Sequence, residues 1–231
     1  YDIKKYGLIW VESEDNEVSY FESNYPVLKE RKDLSIEKSN NKNTNIIIKG
    51  ENYGSLKVLR YTHSEKIDII FIDPPYNTGN NDFKYNDNWV DVEDSYRHSK
   101  WLSFMSSRLK LAKELLKEDG VMFITIGEDE LSQLTILCKQ IFGRNNFINT
   151  LVWEKSTSRK NSSKYFSENH DYVLVVAKST GANGWARKLD PRDEESTNYS
   201  NPDNDPRGPW TRGSVIANNP YGAKYEITAP D

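Results

Sequence analysis

The chain has 231 residues, 36% of them apolar and 29% charged, enough to bury one sizeable core and too apolar for a disordered segment. A formal net charge of −4 argues on average against nucleic acid as a partner, and a mean hydropathy of −0.80, with no apolar run near the ~20 residues of a membrane span, leaves no place for one. The single cysteine, Cys138, and three histidines give no internal disulfide and little for a structural metal; the start at Tyr1, without Met or signal pattern, reads as a trimmed N-terminus of a cytoplasmic protein.

Residues 1–45, rich in Glu, Lys, Asn and Ser without a sustained period, predict an irregular N-terminal extension. Ile46 to Lys49 reads as a first strand, Asn52 as the cap of a helix carrying Leu56 and Leu59, and Ile67 to Ile72 as a buried strand. Leu102, Met105, Leu109, Ala112 and Leu116 step by three and four along a helix that stops at Gly120. Val121 to Ile126 is the next strand, and Leu131, Leu134, Cys138 and Ile141 stripe a helix ending at Gly143, which makes Cys138 a small buried hydrophobe. Phe147 to Trp153 and Tyr172 to Ala177 predict two antiparallel strands, because no helix between them can form a crossover. After Ser179 the composition turns to Gly, Asn, Asp and Pro. The expected organisation is an extension over 1–45, an α/β lobe over 46–178 and the start of another region over 179–231.

Directly after the strand IDIIFI stands Asp73-Pro74-Pro75-Tyr76, followed by Asn77-Thr78-Gly79, at the carboxyl end of a buried strand where open α/β sheets place their ligands. Two prolines fix φ and remove two N–H donors, so the carbonyls there form a rigid acceptor array, with Asp73 adding a carboxylate and Tyr76 a stacking face. Such an array suits the exocyclic amine of a nucleobase: its two N–H bonds go to Asp73 and the Pro74 carbonyl while Tyr76 stacks on the ring. Acceptors held out of the ring plane favour a pyramidal, nucleophilic nitrogen, and no covalent enzyme nucleophile is needed. The bland alternative is a strand-ending turn, since Asp and Pro are turn residues anyway.

At these residues the sequence resembles the DNA adenine-N6 methyltransferases of the permuted class, most nearly the modification subunit of type III restriction systems. The matching text comprises KGENYGSL, DPPYNTGNNDFKYNDNW, HSKWLSFMSSRLKLAKELLKEDGVMFITIGEDE, IFGRNNFINTLVWEK, NHDYVLVVAK and NPDNDPRGPW. The resemblance implies a circularly permuted, Rossmann-like α/β fold, its sheet mainly parallel with an antiparallel hairpin at one edge. It implies S-adenosylmethionine as methyl donor without a metal, a flipped adenine of double-stranded DNA as acceptor, a homodimer and a partner restriction subunit. On its pattern Asp73, Pro74, Pro75 and Tyr76 are catalytic, and Glu51, Asn52, Asp73 and His98 lie at the cofactor. For Glu51 and Asn52 the other reading is a helix N-terminus, with Asn52 capping and Glu51 solvated; for His98 it is a first-turn helix residue. Asn77 and Thr78 open a loop, through Asn88, expected to order on the DNA. Lys155, Arg159, Lys160 and Lys164, set among Ser and Asn, suit phosphate contacts or an ordinary solvated tip, and His170 matches a segment lining the base pocket or caps a strand. Asp129 and Glu130 read as helix N-terminal acids that offset the dipole.

The class binds the cofactor's methionine part with an FxGxG turn that these residues lack. The expectation is therefore a fragment, an incomplete fold continuing beyond Asp231. Two competing readings stay open: a different acceptor such as cytosine N4, or a catalytically silent DNA-binding module of the same fold.

Overall fold

The structure, a computed structural model, describes residues 9–34, 45–156, 169–186, 201, 202, 204 and 206. The chain divides into two compact units, Tyr1–Ala186 and Arg187–Asp231, and every helix and strand described belongs to the first. Its helices are α1 (Asn16–Ser23), α2 (Asn52–His63), α3 (Arg97–Leu115) and α4 (Glu128–Phe142). Its strands are β1 (Ile67–Ile72), β2 (Lys84–Tyr85), β3 (Asn88–Trp89), β4 (Leu116–Ile126), β5 (Phe147–Glu154) and β6 (His170–Ala177).

The main sheet runs β1-β4-β6-β5. β1 and β4 are parallel, with Ile72 opposite Ile124, and β6 is antiparallel to both β4 and β5. The helical crossover between β1 and β4 and the antiparallel β5–β6 hairpin at the edge are the α/β arrangement expected from the alternating apolar pattern. β1 is the opposite edge strand, and its Ile69 and Phe71 remain more than half exposed. The core lies on the other face, where Trp101, Leu102, Met105 and Leu109 of α3 meet Met122, Ile124 and Ile126 of β4 and Leu134, Leu137 and Cys138 of α4. Burial pushes the Cys138 thiol up to about 12, so it packs as an inert hydrophobe, as the helix stripe predicts.

Four elements differ from the sequence reading. Ile46 to Lys49 forms no strand; an apolar run becomes a strand only when a ladder partner satisfies its backbone, and here Ile46 and Ile47 stay exposed. The third helix ends at Leu115, not Gly120, and β4 begins at once with Leu116, paired to Ile67. The register then shifts between Ile67 and Ile69, and Gly120 sits where an added Cβ would lie 3.0 Å from the Ile67 carbonyl oxygen. Gly120 thus serves a close backbone approach in a strand, not a helix stop.

Within the stretch read as irregular, Asp15 caps α1 by accepting from the N–H of Glu17 and Val18. The α2 cap is Glu51, whose Oε2 accepts from the Gly54 N–H at 2.8 Å, while Asn52 is the exposed first helical residue. Both departures share one cause, Arg108 of α3. Its guanidinium bonds Asp15 at 3.0 Å, Glu17 at 2.6 Å and Glu51 at 2.9 Å, and it stacks on Phe104 with 3.8 Å between the guanidinium carbon and the ring centroid. Three acids from distant sequence positions converge on one buried cation, and that charge recruits α1 and fixes Glu51.

Candidate active site

Asp73 emerges from the carboxyl end of β1 beside the end of β4, because the parallel register sets Ile72 opposite Ile124. Thr125 Oγ1 donates to Asp73 Oδ1 at 2.5 Å, which orients the exposed carboxylate and leaves Oδ2 without a partner among the described residues. Of the two carbonyls in the proline pair, Pro75's accepts from the indole N–H of Trp101 at 2.8 Å. Trp101 is fully buried, so this bond pins the turn to the core. The expectation of free carbonyls fails at Pro75, whose oxygen a core tryptophan satisfies, while the Pro74 carbonyl has no partner among the described residues. Tyr76 is half-buried, and an added Cβ at Gly127 would lie 2.9 Å from its Cδ2. Burial, together with the nearby Asp171 and Asp73 carboxylates, raises the Tyr76 hydroxyl above its ordinary range although a Thr125 hydrogen bond lowers it, so the ring stays a neutral stacking surface.

Asn77, expected as a DNA-contacting residue at the start of a loop, is instead packed inside the protein. It has φ of 58° and is fully buried, and its Nδ2 donates to Glu130 Oε1 at 2.5 Å. Asn is the residue that tolerates this left-handed conformation after Gly. Glu130, read as a helix N-terminal acid offsetting the dipole, is also fully buried, and the same oxygen meets His98 Nδ1 at 2.7 Å. Thr78 takes part in a local turn, its N–H donating to Asp82 and its hydroxyl accepting from Asn80. The loop expected to order only on DNA is already packed. Phe83, Tyr85 and Val90 are buried, Asn86 and Asp87 both take positive φ in a two-residue hairpin turn between β2 and β3, and Tyr85 and Asn86 bond the N-terminal segment at Ser13 and Glu14.

The four residues expected at a cofactor divide into two pairs. Asp73 and Asn52 keep exposed polar groups at strand and helix ends, whereas Glu51 is consumed by its cap and Arg108, and His98 by Glu130. Burial raises the Glu51 carboxyl, but the N–H groups of Tyr53 and Gly54, with Glu17 and Arg108, outweigh burial and hold it below the usual range. The donor set fits a ligand's hydroxyl or amine at Asp73 and Asn52 and does not fit one that needs the Glu51 carboxylate free.

Among the basic residues, Lys155 pairs with Asp171 at 2.6 Å across the β5–β6 hairpin. Arg159, Lys160 and Lys164 lie outside the described residues. His170 Nε2 bonds the Tyr172 hydroxyl at 2.9 Å, which donates to Glu128 at 2.9 Å. It tops the strand beside α4 and bonds no residue of the turn. Sequence reading missed Thr125, Gly127 and Trp101, which reach the turn only through strand register and helix packing. Among the described residues no group of three or more His, Cys, Asp or Glu is placed to hold a metal, and no helix is long and apolar enough to cross a membrane.

Comparison with known proteins adds an independent line. A family model described as DNA methylase matches residues 67–226. The chain is 35% identical over 176 residues to the type III restriction-modification enzyme EcoP15I Mod subunit of Escherichia coli, covering 66% of this chain and 27% of that protein. It is 32% identical over 219 residues to the StyLTI Mod subunit of Salmonella typhimurium, covering 83% and 33%. The chain thus spans a third or less of these relatives' length. The solved structure of the PvuII DNA methyltransferase (cytosine-N4-specific) superposes with a TM-score of 0.39 at 16% identity, over 54% of this chain and 47% of that one.

Proposed function

Since the chain belongs to the DNA methylase family, we propose that the Asp73 turn is the acceptor site of a DNA methyltransferase acting on the N6 amine of adenine in double-stranded DNA. The observation that carries this reading is the selective satisfaction of the turn. Trp101 takes the Pro75 carbonyl and Thr125 takes Asp73 Oδ1, while Asp73 Oδ2 and the Pro74 carbonyl have no partner among the described residues and are left as two acceptors beside Tyr76. An aromatic amine offers two N–H bonds and a flat ring, the complement of that set.

In the complete protein, S-adenosylmethionine supplies an electrophilic methyl group when bound, and Asp73 and Asn52 are the exposed residues here that would face it. The chain's own contribution is to hold the acceptor. Asp73 Oδ2 and the Pro74 oxygen draw the amine hydrogens out of the ring plane, which localises the nitrogen lone pair for in-line attack. Because this edge of adenine is paired inside a duplex, the base is flipped to reach the turn. Duplex DNA as substrate, a restriction subunit as partner and a homodimeric assembly belong to the same proposal, supported by the likeness to type III Mod subunits.

Methyl transfer from labelled S-adenosylmethionine to mixed-sequence duplex DNA by the complete protein, followed by nucleoside analysis, tests the reading. Label is expected in N6-methyladenine. Label in N4-methylcytosine would replace the acceptor, and no label in any nucleoside would leave the turn without this role.

Gly127→Ala gives a second check. A methyl group 2.9 Å from Tyr76 Cδ2 forces the ring to move, and a misplacement of this kind costs up to about 100-fold in rate against about 1–3 kcal/mol of overpacking. Transfer kinetics measured well below the thermal midpoint, where the variant is folded, should show that rate loss; an unchanged rate would mean that Tyr76 placement does not matter.

A further inference from the structure

Asn77 is the residue through which the rest of the molecule can set the turn. It follows Tyr76 directly, is fully buried and sits at φ 58°. Its side chain donates from Nδ2 to Glu130 Oε1 and, at 3.4 Å, to the Arg97 carbonyl. Two atoms of this cluster are buried with no partner among the described residues, Asn77 Oδ1 and Glu130 Oε2. Unpaired buried acceptors are costly and signal a proton, a mobile donor or an alternative arrangement.

His98 connects the cluster to solvent. Its side chain is 44% exposed, whereas that of Glu130 is 0% exposed, and its Nδ1 lies 2.7 Å from the same Glu130 oxygen that serves Asn77. With Glu130 ionised, that oxygen accepts and His98 Nδ1 is the donor. The other groups facing the cluster are identifiable. Arg97 Nη2 lies 3.5 Å from His98 Nε2 and 3.9 Å from Asp129, and Gln133 Nε2 lies 3.4 Å from His98 Nδ1. Glu128, on the same first turn of α4, is held by Tyr172 of β6.

Resting on the methyltransferase reading above, we propose that Glu130 is a positioning residue for the acceptor turn, holding Asn77 from beneath, and that the proton its own carboxyl gains or loses makes the setting of that turn depend on pH. One exposed imidazole, one buried carboxyl and one buried amide form an unbroken path from solvent to the residue after Tyr76. Burial raises the Glu130 carboxyl above the usual range, against opposing effects of Asn77, His98 and Arg97. The sign of the pH effect follows. A carboxyl that binds its proton more tightly in the closed cluster than in the opened one stabilises closure at low pH. That advantage is lost as pH rises through the raised value.

Hydrogen exchange of the segment 73–82 in the complete protein, corrected for intrinsic rates and followed from about pH 5 to pH 8 where carboxyl and imidazole groups titrate, tests the coupling without requiring activity. In the wild type, protection should fall as pH rises. Glu130→Gln retains an acceptor for Asn77 and removes the proton, so its protection should be independent of pH. His98→Asn should shift the wild-type dependence.

In transfer assays, Glu130→Ala should lower kcat by about 10- to 100-fold with little change in KM for DNA. Glu130→Gln should recover most of that loss and flatten the pH profile of kcat. Should Glu130→Ala fail to fold, the glutamine variant decides alone. The same pH dependence of exchange in Glu130→Gln as in wild type would overturn the proposal. A wild type that transfers no methyl group but shows the predicted exchange pattern would sink the functional reading and leave the coupling standing.

Discussion

Asp73→Ala should reduce methyl transfer by about 100- to 1,000-fold or more, the range seen when one preorganised polar contact to a reacting group is removed, while DNA affinity stays within a few-fold. The argument is local. Asp73 is exposed and anchored through one oxygen to Thr125, so its loss should cost little stability: the Thr125 hydroxyl keeps a second acceptor in the Ile72 carbonyl at 3.4 Å. What disappears is one of two acceptors for the amine, and the Pro74 carbonyl alone cannot take both N–H bonds out of the ring plane. Single-turnover transfer with saturating DNA, alongside a binding titration, separates chemistry from affinity. Near-normal turnover would remove Asp73 from the mechanism.

Arg108→Met should be the most destabilising of the substitutions considered. The side chain is 8% exposed and faces three carboxylates, and removing one partner of a buried ion cluster typically costs about 3–5 kcal/mol because the charges left behind have no counter-ion. The half-exposed Glu17 screens part of this and moves the expectation to the lower end of the range. Lysine should rescue poorly, since a single ammonium cannot bond Asp15, Glu17 and Glu51 in one plane. The pH dependence has a definite sign: burial and the neighbouring Glu51 and Asp15 push the Glu17 carboxyl up to about 7, against the Arg108 charge. Glu17 therefore keeps its proton in mildly acid solution, and the destabilisation should grow as pH rises through neutrality. Denaturant unfolding of the complete protein at two pH values measures both effects; a loss below about 1 kcal/mol would show that the ion cluster does not hold the segment.

These residues also show where sequence reasoning succeeds. The strands at Ile67, Val121, Phe147 and Tyr172 and the stripes of α3 and α4 were legible because period and length are local properties. The Asp73 turn at the end of β1 was legible because DPPY follows a strand directly. The Arg108 cluster was not: Asp15 and Arg108 lie 93 positions apart, and nothing local marks an arginine on a helix as a hub. Glu130 misled for the same reason, since an acid in the first turn of a helix satisfies the dipole rule whether its side chain faces solvent or the core. Ile46 to Lys49 misled in the opposite sense, having strand composition without a neighbour to pair with. Local pattern thus located the turn after β1, while the groups that hold it depend on register and burial.

The open edge of β1 has a practical consequence in the test tube. A strand whose outer N–H and C=O groups have no ladder neighbour among the described residues, and which exposes Ile69 and Phe71, is a template for pairing with any extended chain. Produced as these 231 residues, the polypeptide should clump as its concentration rises, and a charged replacement such as Phe71→Lys should improve its yield in soluble form by weakening that contact.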